Sequence, residues 1–517
     1  VSASLSRLLR YRHSFLALLL GALAVPAFLP AEALPSGTAG LVWLLPIVSL
    51  AWLIGLWQRT NAPRAGFVLG FAYGLGLFGG GIHWIYIALT TFGDMATWIA
   101  VLLMLLLIAY MALYPALVGY LAVRFFTGGA RLLVIPALWG LSELLRAHLF
   151  SGLPWLAMGY TQATPGLLRG YIPLGGVYLA SVVCVAFAAA LAAAREKQPI
   201  GAVIALPLLI GGFILNVIEW SEPVGEPLPV SLIQGNIAQD IKFDPAFLGE
   251  TYARYRHLAE KSQGRLVMLP ESAFPDFADQ VPEEEVIAFT QMGIERQADF
   301  LIGMFTRRVN IKGRDEYFNS VLSLGQSPLN VYRKRHLVLF SEKIPFENIV
   351  APLMNALIAM PLAGQSEGAA DQPPFSVAGE KVAISICFED VFGSEQIQSA
   401  RQATLLANFT NDAWFGRSMA AWQHHRIATV RALETARPML RVNNTGITAV
   451  IDHRGRVVKN LPWFTTDVLE AEIVGRKGDT PYLRWGDWFG FGVMLVLVGV
   501  AVGVSRFKRT VIERNES

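Results

Sequence analysis

Ala383-Ile384-Ser385-Ile386-Cys387-Phe388-Glu389-Asp390 is an apolar run that ends on a thiol and two carboxylates. Two other runs stop in a similar way. Leu266-Val267-Met268-Leu269-Pro270-Glu271 ends on a carboxylate, and Val331-Tyr332-Arg333-Lys334-Arg335-His336-Leu337 presents a lysine. Short runs of aliphatic and β-branched residues bounded by loop signals read as buried strands. In α/β sheets ligands bind beyond the carboxyl ends of strands, so an ionisable residue at such an end marks a candidate site. A thiol, with a free pKa near about 8.5, is a poor nucleophile until it loses its proton. It needs a base, for which Glu271 is available. It also needs a cation, for which Lys334 is available, to favour thiolate or a developing oxyanion.

Outward from these three ends, the same texture runs from Leu228 onwards. Pro229–Ile237, Arg265–Glu271, Asp299–Phe305, Asn319–Leu324, Asn330–Lys334, Lys381–Glu389, Thr404–Asn408, Met439–Asn443 and Thr448–Asp452 read as strands. Glu250–Ser262, Glu283–Gln297 and Trp422–Ala436 read as helices between them. Alternation of this kind predicts an α/β domain with buried sheets.

The whole chain has 517 residues, 54% of them hydrophobic and only 16% charged, with a formal net charge of +3. An ordinary soluble protein is about a quarter charged. The near balance of charge points away from a nucleic-acid partner. Two cysteines exclude a disulfide framework and a cysteine-rich zinc module. Residues 1–220 hold sixteen charged groups, residues 485–517 hold seven, and the remaining fifty-eight lie in 221–484. The expected organisation is a membrane domain over 1–220 with seven transmembrane helices, a globular catalytic domain over 221–484, and an eighth helix with a basic tail over 485–517.

A span needs about 20 mostly apolar residues. The candidates are Phe15–Leu29, Gly40–Trp57, Gly66–Tyr86, Trp98–Val123, Leu132–Leu145, Tyr171–Ala194, Ile200–Val217 and Trp485–Val504. The fifth is short, and the third is interrupted by Gly79-Gly80-Gly81. Gly66, Gly70 and Gly74 recur every four residues, a pattern that lets a neighbouring helix approach closely. The basic start and first apolar run read as a retained anchor rather than a cleaved leader. Arg7, Arg10 and Arg12, then Arg59 and Arg64, Arg124 and Arg131, Arg195 and Lys197, and Arg506, Lys508 and Arg509 fall in every second loop. Basic loops stay in the cytoplasm, so both termini are expected there and the globular domain on the opposite, extracytoplasmic face.

Cys387 keeps two readings on physical grounds. A lone cysteine is most often a buried structural one. Cys184, inside the sixth apolar run, is out of reach for pairing, which leaves Cys387 an unpaired thiol in an oxidising compartment.

Pro270-Glu271-Ser272, Tyr332-Arg333-Lys334-Arg335-His336-Leu337 and Ile386-Cys387-Phe388-Glu389-Asp390 resemble, in the same chain order, the Glu, Lys and Cys motifs of the nitrilase (carbon–nitrogen hydrolase) superfamily. Asn411-Asp412-Ala413-Trp414-Phe415-Gly416, Gln423-His424 and Arg431-Ala432-Leu433-Glu434 narrow the match. With the eight apolar runs, nearly the whole chain is similar to the bacterial apolipoprotein N-acyltransferases. The resemblance implies a multi-pass protein of the inner membrane with a nitrilase-like αββα sandwich on the periplasmic side. It implies transfer of the sn-1 acyl chain of a phospholipid, usually phosphatidylethanolamine, to the α-amino group of the N-terminal diacylglyceryl-cysteine of a lipoprotein. Neither cofactor nor metal is implied. Cys387 maps to the nucleophile, Glu271 to the general base, Lys334 to the oxyanion-stabilising lysine, Glu342 to a second glutamate, and Glu389 to another important carboxylate. With no hydroxyl at position 388, the resemblance leaves the backbone N–H of Phe388 as the expected further oxyanion donor. Three departures stand out. Leu339-Phe340-Ser341-Glu342 replaces the usual Pro-Phe-Gly-Glu, Phe388 stands where Tyr is common, and Phe243 where Trp is common.

Other readings compete. A membrane-anchored amidase or nitrilase on a small polar substrate would share the fold. A transporter would predict charge in broken mid-membrane helices, and almost none is present. Ile349–Leu362 reads IVAPLMNALIAMPL without a charge. It is either a buried core helix or a lipid-facing lid in which Leu353, Met354 and Leu357 guide acyl chains. Gly364-Gln365-Ser366-Glu367-Gly368 matches a serine nucleophile elbow, but Pro361 before it and Pro373-Pro374 after it predict a loop. His424-His425 lacks zinc-motif spacing and reads as a polar helix start. The charge pattern makes a testable statement about topology. Single cysteines introduced near Arg59 or Arg195 should resist a membrane-impermeant thiol reagent in intact cells, while one near Gln280 reacts; labelling near Arg195 from outside would overturn the eight-helix orientation.

Overall fold

The computed structural model describes residues 2–163, 165–198, 200–344 and 364–516. The chain forms two compact units. One comprises Val1–Trp84, Val101–Ile218 and Arg484–Ser517, the other Ile85–Ala100 and Glu219–Leu483.

The first unit is helical. Tyr11–Phe28, Ala39–Gln58, Thr97–Phe125, Gly128–Ser151, Leu167–Arg195 and Asp487–Phe507 are long and apolar enough to cross a bilayer. Pro63–Gly81 joins Ile85–Phe92 at a 56° bend, which makes up to seven spans, and Gly201–Val217 is a shorter apolar helix. Of the eight spans expected from sequence, six to seven meet the length and apolarity of a span among the described residues, and the seventh apolar run is the shorter helix Gly201–Val217. Gly79-Gly80-Gly81 stays helical, and the bend falls just after it. The fifth apolar run is extended well beyond Leu132–Leu145.

In lipid, helices associate through close van der Waals packing at small residues. The repeated glycines act in this way. A Cβ on Gly66 would lie 2.5 Å from the Gly119 carbonyl oxygen, one on Gly70 2.2 Å from that of Pro115, and one on Gly74 2.6 Å from the Ala112 Cα. On another flank of the same helix, a Cβ on Gly76 would overlap the Leu18 carbonyl oxygen. The backbones are therefore in contact, with no room for a side chain.

The second unit contains two six-stranded mixed sheets. The strands are β1 (Glu222–Gln234), β2 (Leu266–Leu269), β3 (Asp299–Val309), β4 (Asp315–Gly325), β5 (Val331–Arg333), β6 (Phe375–Val377), β7 (Glu380–Ile386), β8 (Leu405–Thr410), β9 (Met439–Asn443), β10 (Ala449–Ile451), β11 (Val457–Asn460) and β12 (Asp467–Lys477). Their orders are β12-β1-β2-β3-β4-β5 and β11-β10-β9-β8-β7-β6. In each sheet the middle is parallel, β1-β2-β3 and β7-β8-β9, and the outer pairings are antiparallel.

The apolar residues of this unit sort into three layers. Val230, Leu232, Leu266, Met268, Leu301 and Val321 of the first sheet meet Val382, Ile384, Ile386, Leu405, Ala407, Phe409 and Leu440 of the second. The opposite face of the first sheet packs on helices Leu248–Lys261 and Glu283–Arg296 through Tyr255, Leu258 and Phe289. That of the second packs on Gly393–Gln402 and Met419–Thr435 through Ala400, Ala428 and Ala432. A strand buried on both faces needs a continuous apolar run, which is why the inner strands are so plain in the sequence. β6, β11 and β12, absent from the sequence reading, all lie at sheet edges, where charge and alternation dilute that signal.

The fold predicts a steric outcome. Gly70→Leu should lower the melting temperature in detergent and the yield of folded protein, at a cost of about 1–3 kcal/mol from overpacking. Gly79→Leu, where a Cβ meets nothing within 4 Å, should stay near wild type.

Candidate active site

Each of the three strand ends is shaped by a local constraint. Glu271 follows β2 and Pro270. Its turn continues through Ser272 in a left-handed conformation, φ +49°. The neighbouring β3 contributes Gly303, where a Cβ would lie 2.3 Å from the Pro270 carbonyl oxygen. The glycine is what allows the carboxylate-bearing turn to pass. Lys334 follows β5, its N–H donating to the Asn319 carbonyl (2.8 Å) and its carbonyl accepting from Gly368 N–H (2.8 Å). The stretch 364–368 is indeed a loop. It wraps Glu342, whose carbonyl accepts from the N–H groups of Gly364 and Gln365.

Cys387 caps β7 with φ +52°, between extended Ile386 and a short 3-10 turn over Cys387–Val391. A non-glycine residue in this region carries strain of about 1–3 kcal/mol and persists only where its surroundings hold it. Those surroundings are explicit. The Cys387 carbonyl accepts from Asn408 Nδ2 and His424 Nε2, each at 3.2 Å. One residue earlier, Ile386 N–H donates to Glu389 Oε2 at 2.7 Å.

The side chains converge by charge. Lys334 is 1% exposed, with Nζ 2.7 Å from Glu342 Oε1 and 3.6 Å from Glu271 Oε1. Glu271 Oε1 also accepts from Asn319 Nδ2 at 2.7 Å, and Glu342 Oε2 from Val338 N–H at 2.8 Å. Removal from water opposes the charge on Lys334, but Glu342 and Glu271 outweigh it and raise its pKa, so the ammonium stays protonated. Burial raises the Cys387 thiol well above its ordinary value, Glu271 adds to the effect, and Lys334 opposes it. At rest the site therefore holds a neutral thiol among Glu271, Lys334 and Glu342. Such a thiol reacts as its proton leaves for a base.

Glu389 is buried and its oxygens are occupied. Oε1 accepts from the N–H groups of Arg335 (2.7 Å) and His336 (3.1 Å), and the Tyr332 hydroxyl donates to the carboxylate at 3.0 Å. It ties the Lys334 segment of one sheet to the Cys387 elbow of the other. The Phe388 ring packs against Phe392 (5.2 Å between centroids) and His336 (6.0 Å). The Phe243 ring lies 6.3 Å from Phe305. Leu353, Met354 and Leu357 fall outside the described residues.

The sequence reading passed over several members. Asn319 was seen only as part of a strand. His424, taken for a polar helix start, is 2% exposed. Its Nδ1 is 2.9 Å from Asp412 Oδ1 and its Nε2 3.0 Å from Asp390 Oδ1. Arg441 reaches the same two carboxylates, Nη1 to Asp390 Oδ2 at 3.3 Å and Nη2 to Asp412 Oδ2 at 3.1 Å. This knot lies directly beneath the Cys387 carbonyl. Only the fold brings residues 387, 390, 408, 412, 424 and 441 together, and no local spacing announces it.

Two family models account for most of the chain. The apolipoprotein N-acyltransferase N-terminal domain matches residues 20–190, and the carbon–nitrogen hydrolase domain matches residues 230–482. An apolipoprotein N-acyltransferase of Nitrosomonas europaea is 42% identical over 94% of this chain and 98% of its own length. Another, of Chromobacterium violaceum, is 41% identical over 93% and 92%. The chain belongs to the apolipoprotein N-acyltransferase family. A further member, of Vibrio cholerae, is 34% identical over 90% of this chain and 93% of its own length. In this family's setting, the helical unit and the carbon–nitrogen hydrolase unit are parts of one membrane enzyme.

The buried knot has a pH signature. Removal from water and Arg441 both lower the His424 pKa, but Asp390 and Asp412 outweigh them and raise it to about 9. A histidine whose folded pKa lies above its unfolded value contributes stability that is complete below about 6.5 and lost as pH rises through about 9. The melting temperature should accordingly fall between pH 7 and pH 9.5, and His424→Gln, already destabilised, should show a flatter profile over that window. Parallel profiles for the two proteins would show that His424 is not the titrating group.

Proposed function

We propose that the protein moves the sn-1 acyl chain of a phospholipid, phosphatidylethanolamine above all, through a thioester on Cys387 to the α-amino group of a lipoprotein's N-terminal diacylglyceryl-cysteine. The reading is carried by one observation: Glu271, Lys334 and Cys387 interact at the carboxyl ends of strands from two facing sheets, in a chain of the N-acyltransferase family.

In the first half-reaction Glu271 takes the thiol proton and Cys387 Sγ attacks the ester carbonyl carbon. Lys334 and the Phe388 N–H stabilise the tetrahedral oxyanion, a contribution of about 3–4 kcal/mol per donor. The oxyanion collapses, the C–O bond to glycerol breaks, and the proton on Glu271 passes to the departing lysophospholipid oxygen. A thioester remains. In the second half-reaction the lipoprotein amine attacks the thioester carbonyl, Glu271 accepts the amine proton, and the C–S bond breaks. That proton then returns to Cys387, which completes a ping-pong cycle.

Glu342 holds Lys334 in place, and Glu389 holds the elbow. Both substrates carry acyl chains, which accounts for a hydrolase-type domain joined to membrane spans. We assign the charge-free Leu353, Met354 and Leu357 to guiding those chains. We assign the domain to the periplasmic face of the inner membrane, with eight spans and both termini cytoplasmic, from the alternation of basic loops.

With purified protein, phospholipid carrying a labelled acyl chain and a diacylated lipopeptide, Cys387→Ala should form no acyl-enzyme and release no lysophospholipid. Cys184→Ala should turn over within about twofold of wild type, because its thiol is packed among the membrane helices and carries no step of the reaction. Substantial turnover by Cys387→Ala would rule out the thioester route.

A further inference from the structure

A second lysine lies in the site, on the loop that follows β1. Lys242 is 1% exposed, and its Nζ donates to the main-chain carbonyl of Glu271 at 2.9 Å. That is its one hydrogen bond among the described residues. The loop that carries it is fastened to the second sheet. Asn236 N–H donates to the Asn444 carbonyl and Ile237 N–H to Asn444 Oδ1, both at 2.9 Å, while Gln239 Oε1 accepts from Asn411 Nδ2 at 2.7 Å. Lys242 thus reaches from a loop held by one sheet to the base at the end of the other.

The charges of the buried groups support a role beyond packing. Glu271 and Glu342 bring two carboxylates to Lys334. With Lys334 alone the cluster would carry a surplus negative charge away from water, where unpaired charge is costly. Lys242 brings a second cation to the base, its ammonium on the Glu271 main chain. The adjacent knot is balanced in the same way, Asp390 and Asp412 against His424 and Arg441.

We propose that Lys242 is a positioning residue of acyl transfer, pinning the main chain of Glu271 and balancing the negative charge that passes from its carboxylate to the Cys387 sulfur and the oxyanion. The inference rests on Cys387 as nucleophile and Glu271 as base. As the thiol proton moves to Glu271 no net charge enters the site; the negative charge only changes place. The ionisable groups whose charge acts on the ammonium are those at the two ends of this transfer, Glu271 after β2 and Cys387 after β7. Burial draws the Lys242 pKa down to about 8, against the pull of Glu271 and Cys387, so its charge is lost on moderate alkalinisation.

The test uses the full-length enzyme in detergent. Single-turnover acyl-enzyme formation from labelled phosphatidylethanolamine is followed from pH 6 to 10, with melting temperatures alongside. Iodoacetamide alkylation of Cys387, in a Cys184→Ala background, reads the thiol without substrate. Wild-type acylation should decline above about pH 8. Lys242→Met should acylate about 10²-fold more slowly, the loss expected from a misplaced base, with no decline of its own above pH 8, slower alkylation at pH 8 and an unchanged KM for phospholipid. Lys242→Arg, which stays charged, should retain more rate and extend it to higher pH. Wild-type acylation and alkylation in Lys242→Met would overturn the proposal, as would a loss of rate that merely follows a lower melting temperature while the alkaline decline persists. If Lys242→Met does not fold, identical alkaline limbs for wild type and Lys242→Arg overturn it. Acyl-enzyme on Cys387→Ala would sink the underlying mechanism instead; an inert Cys387→Ala beside an unaltered Lys242→Met removes only the role of Lys242.

Discussion

The carboxylate of Glu389 is the tie on which the site geometry depends. Glu271 and Lys334 stand at strand ends of one sheet and Cys387 at a strand end of the other. Apolar packing between the sheets sets their spacing, but packing alone is non-directional and does not fix where strand ends point. Glu389 adds the direction. It accepts from Ile386 N–H on the thiol side and from Arg335 and His336 N–H and the Tyr332 hydroxyl on the lysine side. Hydrogen bonds to a buried carboxylate are among the stronger ones, and removing a partner leaves an unsatisfied group. The left-handed conformation at Cys387 can persist because this tie, with Asn408 and His424 on the carbonyl beside it, leaves the elbow no other path.

Charge neutrality is the second constraint. Buried ionisable groups gather at the strand ends and between the second sheet and helix Met419–Thr435, while the inter-sheet core stays aliphatic. Glu271 and Glu342 flank Lys334, with the Lys242 ammonium on the Glu271 main chain; Asp390 and Asp412 flank His424 and Arg441; and Glu389 is satisfied by hydrogen bonds alone. A buried ion costs several kcal/mol unless it is paired and hydrogen-bonded. The first set belongs to the candidate active site. The second fixes the floor under Cys387, giving the candidate site a support that is itself neutral.

The helical unit obeys a different solvent. Where lipid surrounds a helix, burial of apolar surface no longer drives association, and contact between backbones does. Gly66, Gly70 and Gly74 against Gly119, Pro115 and Ala112 are the visible result. The outward faces remain apolar, as at Leu105, Leu106, Val203 and Phe213, which in water would be a liability and in a bilayer is what the surface requires.

Much of this was legible in the chain itself. Hydropathy and the distribution of charge separated a membrane block from an α/β domain. Strand-like runs ending at Glu271, Lys334 and Cys387 marked the candidate site; those before Glu271 and Cys387 are buried and so nearly continuous in apolar residues, while the one before Lys334 is a half-exposed edge strand. Glycines spaced by four foretold helix contact. The bend after Gly81 and the edge strands β6, β11 and β12 were not legible, since a bend depends on neighbouring elements and an edge strand on a partner to pair with. Nor were Lys242, Asn319, His424 and Arg441. Each is polar and sits in an ordinary local context, and each acquires its role from groups tens to hundreds of residues away. Local sequence determines which segments are buried and which end in a reactive group. Which distant charges meet is decided only when two sheets close on each other and every buried ion must find a counter-ion or hydrogen-bond donors.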